Sequence, residues 1–139
     1  VNTDPDTYNQ TTTSDMGSLL NDLYQCASYG GGTLVAAFPG EITQEKCVEM
    51  MDYLAKNKTA MLLEAGLPEG TRLAHKHAWA VANDGMIHTI GDAGIAYTPG
   101  GNYVLVVFMY DPVQLVFDPI NILFEQLSQA VYNYYNQLP

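Results

Sequence analysis

Apolar residues recur at Met16, Leu19, Leu20, Leu23, Tyr24 and Ala27, a three-to-four spacing that lines one face of a helix. Thr13-Ser14-Asp15 offers the N-cap and Gly30-Gly31-Gly32 the stop. The ten residues before this helix are polar and aperiodic and read as loop. A second start at Thr43 precedes Cys47, Met50, Met51 and Leu54, predicting a helix to about Lys56 and then a helical turn around Met61 to Ala65. Gly66-Leu67-Pro68-Glu69-Gly70 breaks it, and from Thr71 the period falls to two. Arg72 to Ala82, Met86 to Tyr97 and Tyr103 to Tyr110 read as three strands joined by Asn83-Asp84-Gly85 and Pro99-Gly100-Gly101-Asn102. The third, Val104-Leu105-Val106-Val107-Phe108, is apolar on both faces, as in a strand inside a sheet with helices on each side. Leu123, Phe124, Leu127, Val131 and Tyr134 then form the stripe of a final helix, from about Pro119 to Asn136, that lies across the sheet.

Helices followed by a three-stranded antiparallel meander and a C-terminal helix make an α+β chain, by segregation of elements rather than βαβ alternation. Residues 1–70 read as part of a helical subdomain and residues 71–139 as sheet plus C-terminal helix. An interior third strand needs a second neighbour, which must come from an N-terminal segment of the same protein or from another copy of this chain. The opening Val1-Asn2-Thr3-Asp4, with no initiator Met, predicts a piece cut from a longer protein.

Charge narrows the partners. Fifteen carboxylates against five basic side chains give a formal net charge of -10, which repels phosphate backbones and anionic lipid surfaces. Nucleic acid is not an expected partner, and no apolar run approaches the roughly 20 residues that cross a bilayer. Cys26 and Cys47 both fall on apolar helix stripes, where they read as core residues or, if the two helices pack side by side in an oxidising compartment, as a disulfide.

Three histidines invite a zinc reading, which needs three or four converging ligands. His75 and His77 share one face of a strand and His88 lies on the next. A two-residue Asp84-Gly85 turn would set His77 opposite Asp92 and His88 opposite Val81. A His77–Asp92 pair is therefore expected in place of a metal site, orienting His77 as a donor or proton shuttle, with an ordinary cross-strand contact as the alternative. No metal or cofactor is expected.

Several strings resemble class A β-lactamases of the penicillin-recognising serine hydrolase superfamily. Thr11-Thr12-Thr13-Ser14-Asp15-Met16 is similar to the family's Thr-Thr-Thr-Pro-x-x-Met helix entry, lacking the Pro and one residue shorter. Leu62-Leu63-Glu64-Ala65-Gly66-Leu67-Pro68, running on to Arg72-Leu73-Ala74-His75-Lys76, resembles the Leu-x-x-Gly-Leu-Pro stretch that leads into the Lys-Thr-Gly strand. The Asp92 to Gly101 hairpin is also similar. The likeness runs from about Thr11 to the last helix and implies the C-terminal half of a β-lactamase or transpeptidase-like fold.

That resemblance implies a serine acyl-enzyme mechanism built on Ser-x-x-Lys, Ser-Asp-Asn and Lys-Thr-Gly. None of Ser14, Ser18, Ser28 or Ser128 has Lys three positions on, and no Ser-Asp-Asn occurs, so the chain by itself lacks the nucleophile. Lys76 matches the Lys that presents its charge to the substrate carboxylate. His77 and Ala78 stand where the family has a hydroxyl residue and Gly, and Trp79 matches the position whose backbone N–H helps form the oxyanion hole. The implied catalytic set is Lys76, His77 and Trp79, with His75, Ala78 and Asp92 binding substrate. A small-molecule or peptide substrate, the N-terminal half as partner, and a periplasmic or secreted location follow by resemblance alone. The alternatives are a non-catalytic binding or scaffolding descendant, marked by His77-Ala78, and a self-assembling half-domain.

Overall fold

A computed structural model describes residues 10–137; most of the polar N-terminal stretch read as loop lies outside them. Helix α1 (Thr13–Tyr29) opens one residue earlier than its candidate caps. Thr12 Oγ1 accepts from Asp15 N–H and the Asp15 carboxylate accepts from Thr12 N–H, a reciprocal capping box. Gly30 closes it in the left-handed region at φ 70°. A short helix α2 (Thr33–Ala37), absent from the sequence expectation, bridges to α3 (Gln44–Ala55), which Thr43 caps. A single 3₁₀ turn at Glu64–Gly66 leads into the sheet.

The sheet is the expected meander: β1 (Arg72–Val81), β2 (Ile87–Tyr97) and β3 (Tyr103–Tyr110), in that order and antiparallel throughout. The β1–β2 register holds from Arg72↔Tyr97 to Trp79↔Ile90, with His77 opposite Asp92, and then shifts. Val81 pairs with Ile87, not His88, because a bulge follows Trp79. Helix α4 (Phe117–Tyr135) completes the chain. Among the described residues no helix is long and apolar enough to cross a membrane.

Two half-cores flank the sheet. Leu20, Leu23, Cys26, Cys47 and Met51 from α1 and α3 pack on Ala74, Ala93 and Ile95. The Cys26 and Cys47 sulfurs are bonded to each other, so α1 and α3, which lie side by side, are stapled. On the other face Leu62, Leu63, Leu115 and Phe124 cover Leu73, Ile90, Ala96 and Tyr103. Helix α4 approaches the 3₁₀ turn so closely that a Cβ on Gly66 would sit 2.2 Å from the Glu125 carbonyl oxygen, and Ser128 Oγ donates to Leu63 O at 2.7 Å.

The stripe expected to bury on α4 is displaced. Phe124 and Ser128 are buried, whereas Leu123, Leu127 and Tyr134 are exposed, because only one side of the helix has a sheet beneath it. Strand β3 differs from expectation for the same reason. Among the described residues it pairs with β2 alone, Val104 to Val107 are half-buried, and its outer edge is open. A groove of about 900 Å³ runs along that edge between Thr13, Gly17 and Asn21 of α1, and Val104, Val106 and Tyr135.

Candidate functional site

The two faces of β1 carry different chemistry. Ala74, Lys76 and Ala78 point to the α1–α3 side, whose cover ends at buried Ala74. Beyond it Lys76 and Ala78 are exposed. Ala78 is opposite Gly91, and Gly91 opposite Phe108, whose ring is 40% exposed. A Cβ on Gly91 would lie 2.7 Å from that ring, so a larger residue there would have to displace Phe108. The result is a shallow floor of small side chains bordered by Phe108 on one side and by Lys76 on the other. Lys76 Nζ donates to the His77 carbonyl at 2.7 Å and meets no carboxylate among the described residues.

His75, His77 and Trp79 point to the opposite face. His75 and Asp92 both have 0% exposure. His75 Nδ1 lies 3.0 Å from both Asp92 oxygens, and Nε2 donates to the Asn57 carbonyl at 3.2 Å. Oxygens face both ring nitrogens, so every donor meets an acceptor when the ring carries both hydrogens and Asp92 is ionised. Leu63 N–H gives Asp92 Oδ2 a further hydrogen bond at 3.2 Å.

The expected His77–Asp92 pair is therefore a His75–Asp92 pair. The Cα register is as foreseen, but Asp92 reaches diagonally to His75, a distance that cross-strand diagonals allow, while His77 is taken elsewhere. Its Nδ1 lies 2.9 Å from Asn57 Nδ2, and its ring stacks on Trp79 (centroids 4.9 Å, interplanar 19°). Burial, and next the neighbouring Lys76 charge, hold the His77 pKa below the ordinary histidine value. Trp79 in turn meets Phe117 edge-on at 5.0 Å, so its ring packs on the face away from Lys76.

Among the described residues no strand pairs with the outer edge of β1, and the side-chain partners of its carbonyls disclose the direction of the backbone. The carbonyl of His75 accepts from Asn57 Nδ2 at 3.5 Å, and that of His77 from Lys76. Both carbonyls thus face the free edge, and in an antiparallel strand a residue's N–H and C=O point the same way. Trp79 shares their parity and directs its N–H off that edge. The close approach of Gly94 to His75, where an added Cβ would lie 2.6 Å from the His75 Cβ, fits the narrow pairing this parity requires.

His88 stands apart. Its Nε2 lies 2.8 Å from Asp84 Oδ2 and its Nδ1 donates to the Asp111 carbonyl at 3.1 Å. Among the described residues no three His, Cys, Asp or Glu side chains converge as metal ligands. The Asp84 hydrogen bond, then the Asp111 carbonyl, raise the His88 pKa above its ordinary value. A raised folded-state pKa stabilises fully below the unfolded value of about 6.5, and the contribution disappears as pH climbs through the folded value. His77, with its pKa lowered, contributes the opposite slope in a different window, below about 6.5. The expectation is that the melting temperature of the natural protein exceeds that of His88→Gln by a margin that shrinks as pH rises from about 6.5; a margin independent of pH would refute it.

Asn57 and Leu63, which organise the site, were not foreseen from the sequence. Asn57 sits in the polar Lys56-Asn57-Lys58-Thr59 run, where nothing periodic marks it.

The family model described as "Beta-lactamase enzyme family" matches residues 2–135. No curated protein matches the chain. Among solved structures, PBP-A aligns at 26% identity and TM-score 0.66, covering 92% of this chain and 41% of that one; a variant of it was solved as an acyl-enzyme complex with penicillin G. A class A β-lactamase from Bacteroides cellulosilyticus aligns at 20% identity and TM-score 0.68, over 92% of this chain and 42% of that one. A β-lactamase from Chitinophaga pinensis aligns at 15% and TM-score 0.71, over 91% and 42%; these two bear on the fold alone. The chain thus spans about 41% of the length of the first of these structures.

Proposed function

Since the chain belongs to the β-lactamase enzyme family, we propose that it supplies one wall of a serine acyl-transfer site whose nucleophile and general bases lie on polypeptide outside it. In this reading a serine oxygen from the other wall attacks a β-lactam, cell-wall peptide, ester or amide carbonyl. The leaving nitrogen or oxygen takes up a proton, and water then hydrolyses the acyl ester. Lys76 presents its charge to the substrate's anionic group. The Trp79 N–H donates to the oxyanion. Ala78 and Gly91 keep the floor low enough for substrate to lie along β1. His75 and Asp92, with no exposed surface, act by bracing β1 from behind instead of touching substrate.

The observation that carries this reading is the free edge of β1, where Lys76 and the Trp79 N–H stand together over a floor of small residues. The open β3 edge and its groove support the N-terminal half of the same protein as the partner that completes the sheet. A periplasmic or secreted location accords with the family and with the Cys26–Cys47 disulfide, which an oxidising compartment preserves.

A non-catalytic descendant is the second reading, favoured by His77 and Ala78 in place of the hydroxyl residue and Gly. A fluorescent penicillin separates the two. The chain expressed alone is expected to take up no label, and the complete protein to take up one label per molecule. Stoichiometric labelling of the isolated chain would contradict an external nucleophile, and an unreactive complete protein would establish the non-catalytic reading.

A further inference from the structure

His88 is the buried histidine that the acylation reading leaves unused, and it stands where three stretches of chain meet. It is the second residue of β2. Its ring is only 5% exposed and has an oxygen at each nitrogen: Asp84 Oδ2 of the hairpin loop faces Nε2, and the Asp111 carbonyl of the β3–α4 connection faces Nδ1. The Met86 N–H, and then His88 itself, hold the Asp84 pKa below the ordinary carboxylate value, so both oxygens only accept. A ring with two hydrogens satisfies both contacts, whereas a neutral ring turns a lone pair on one of them.

The two partners are not equally free to yield. Asp111 is pinned: its N–H donates to His88 O at 3.1 Å, Leu115 N–H donates to Ile87 O at 2.7 Å, and its Oδ1 accepts from Val113 and Gln114 N–H. That carbonyl cannot retreat from Nδ1. Asp84 belongs to the exposed tip Asn83–Met86, beyond the bulge at which the β1–β2 register shifts after Trp79. Past the bulge the tip is held by the Val81↔Ile87 pair, by Ala82 N–H on Met86 O, and by two turn bonds, Gly85 N–H on Ala82 O and Met86 N–H on Asp84 Oδ1. A neutral ring must therefore keep its hydrogen on Nδ1, toward the acceptor that cannot move, and its Nε2 lone pair repels the Asp84 carboxylate. Among the described residues, the charged groups facing the ring are Asp84 from the loop and Asp111 from the connection, and both favour the charged form. At this end β1 brings only Ala80 and Val81, and Tyr110 of β3 pairs with Thr89 and so points to the other face of the sheet.

We propose that His88 is a pH-sensitive clasp, which ties the β1–β2 hairpin tip to the β3–α4 connection when its ring is doubly protonated and releases the tip when the ring is neutral. The clasp is closed at and below the ordinary histidine value of about 6.5 and opens as pH climbs through the raised folded value. The released segment begins directly after Trp79, whereas the stem, paired from Arg72 to Trp79, is held throughout. No atom of the clasp belongs to the acylation site described above, so the proposal stands or falls without that reading.

Amide hydrogen exchange of the complete protein, corrected for its intrinsic pH dependence, reads the tip directly. Protection of Gly85 and Met86 N–H is expected to fall about tenfold, as when one hydrogen bond is lost, as pH passes through the His88 titration followed by ¹⁵N NMR of the ring. Ala93 and Ile95, in the stem, are expected not to change. In Asp84→Asn, whose side chain keeps an oxygen and loses the charge, the step is expected at lower pH; in His88→Gln it is expected to vanish, with unchanged stem protection showing that both variants fold. The neutral ring of the natural protein is expected to carry its hydrogen on Nδ1. Tip protection that follows no His88 titration, or a neutral ring with its hydrogen on Nε2, overturns the proposal, and so does a step that survives in His88→Gln.

Discussion

Asp92→Asn is expected to destabilise the protein by about 1–3 kcal/mol, the cost of leaving a buried donor without its acceptor. The carboxylate has no exposed surface, and it serves two donors, the His75 ring and Leu63 N–H. An amide leaves His75 facing an uncharged group on one side and the Asn57 carbonyl on the other, so a charged ring loses its counterion and a neutral ring loses a hydrogen bond. Neither side chain has any exposed surface at which water could compensate. Removing both partners is a different matter, because a well-packed apolar pair of similar volume imposes no desolvation penalty. His75→Phe with Asp92→Leu is therefore expected to recover most of the loss. Urea unfolding of the two singles and the double gives the cycle; a single-variant cost below about 1 kcal/mol would mean that the pair is not the brace described here.

What was legible in the sequence is what local rules govern. The three strands fall within about a residue of expectation at each end, since period-two alternation and the Asn83-Asp84-Gly85 and Pro99-Gly100-Gly101 turns are written in contiguous residues. The His77↔Asp92 register, foreseen from a two-residue Asp84-Gly85 turn, holds for a different reason: a three-residue Asn83–Gly85 loop closes the hairpin and the bulge after Trp79 offsets it. The side-chain pairing does not follow that register, because Asn57, 20 residues before His77, claims its Nδ1 and leaves Asp92 to His75. Asn57 reaches β1 only through a loop whose Ala60 and Leu62 adopt positive φ, and neither residue type advertises that conformation. In α4, Leu123, Phe124, Leu127 and Val131 mark two overlapping faces. Which of them buries depends on the sheet beneath and not on spacing, and Leu123 and Leu127 remain exposed.

The largest effect on chemistry is expected from Lys76→Ala in the complete protein, with acylation by a fluorescent penicillin slowed on the order of 10²- to 10³-fold, as when one preorganised charge-stabilising donor is lost. The chain carries a net charge of -10, so on the proposed reading an anionic substrate would approach against the general field and need a local cation. Lys76 is exposed, and its only polar contact among the described residues is the His77 carbonyl, whereas Lys58 and Arg72 are paired with Glu64 and Asp52. Its charge is consequently uncommitted to any carboxylate among the described residues. The same exposure predicts that the substitution leaves stability within about 0.5 kcal/mol, which separates it from Asp92→Asn. Lys76→Arg keeps the charge but spreads it over a planar fork that a point-charge site does not match, and is expected to fall between the natural protein and the alanine variant. A Lys76→Ala protein acylated as fast as the natural one would remove the amine from the mechanism, and one that lost rate and fold together would make it a structural residue of the sheet edge.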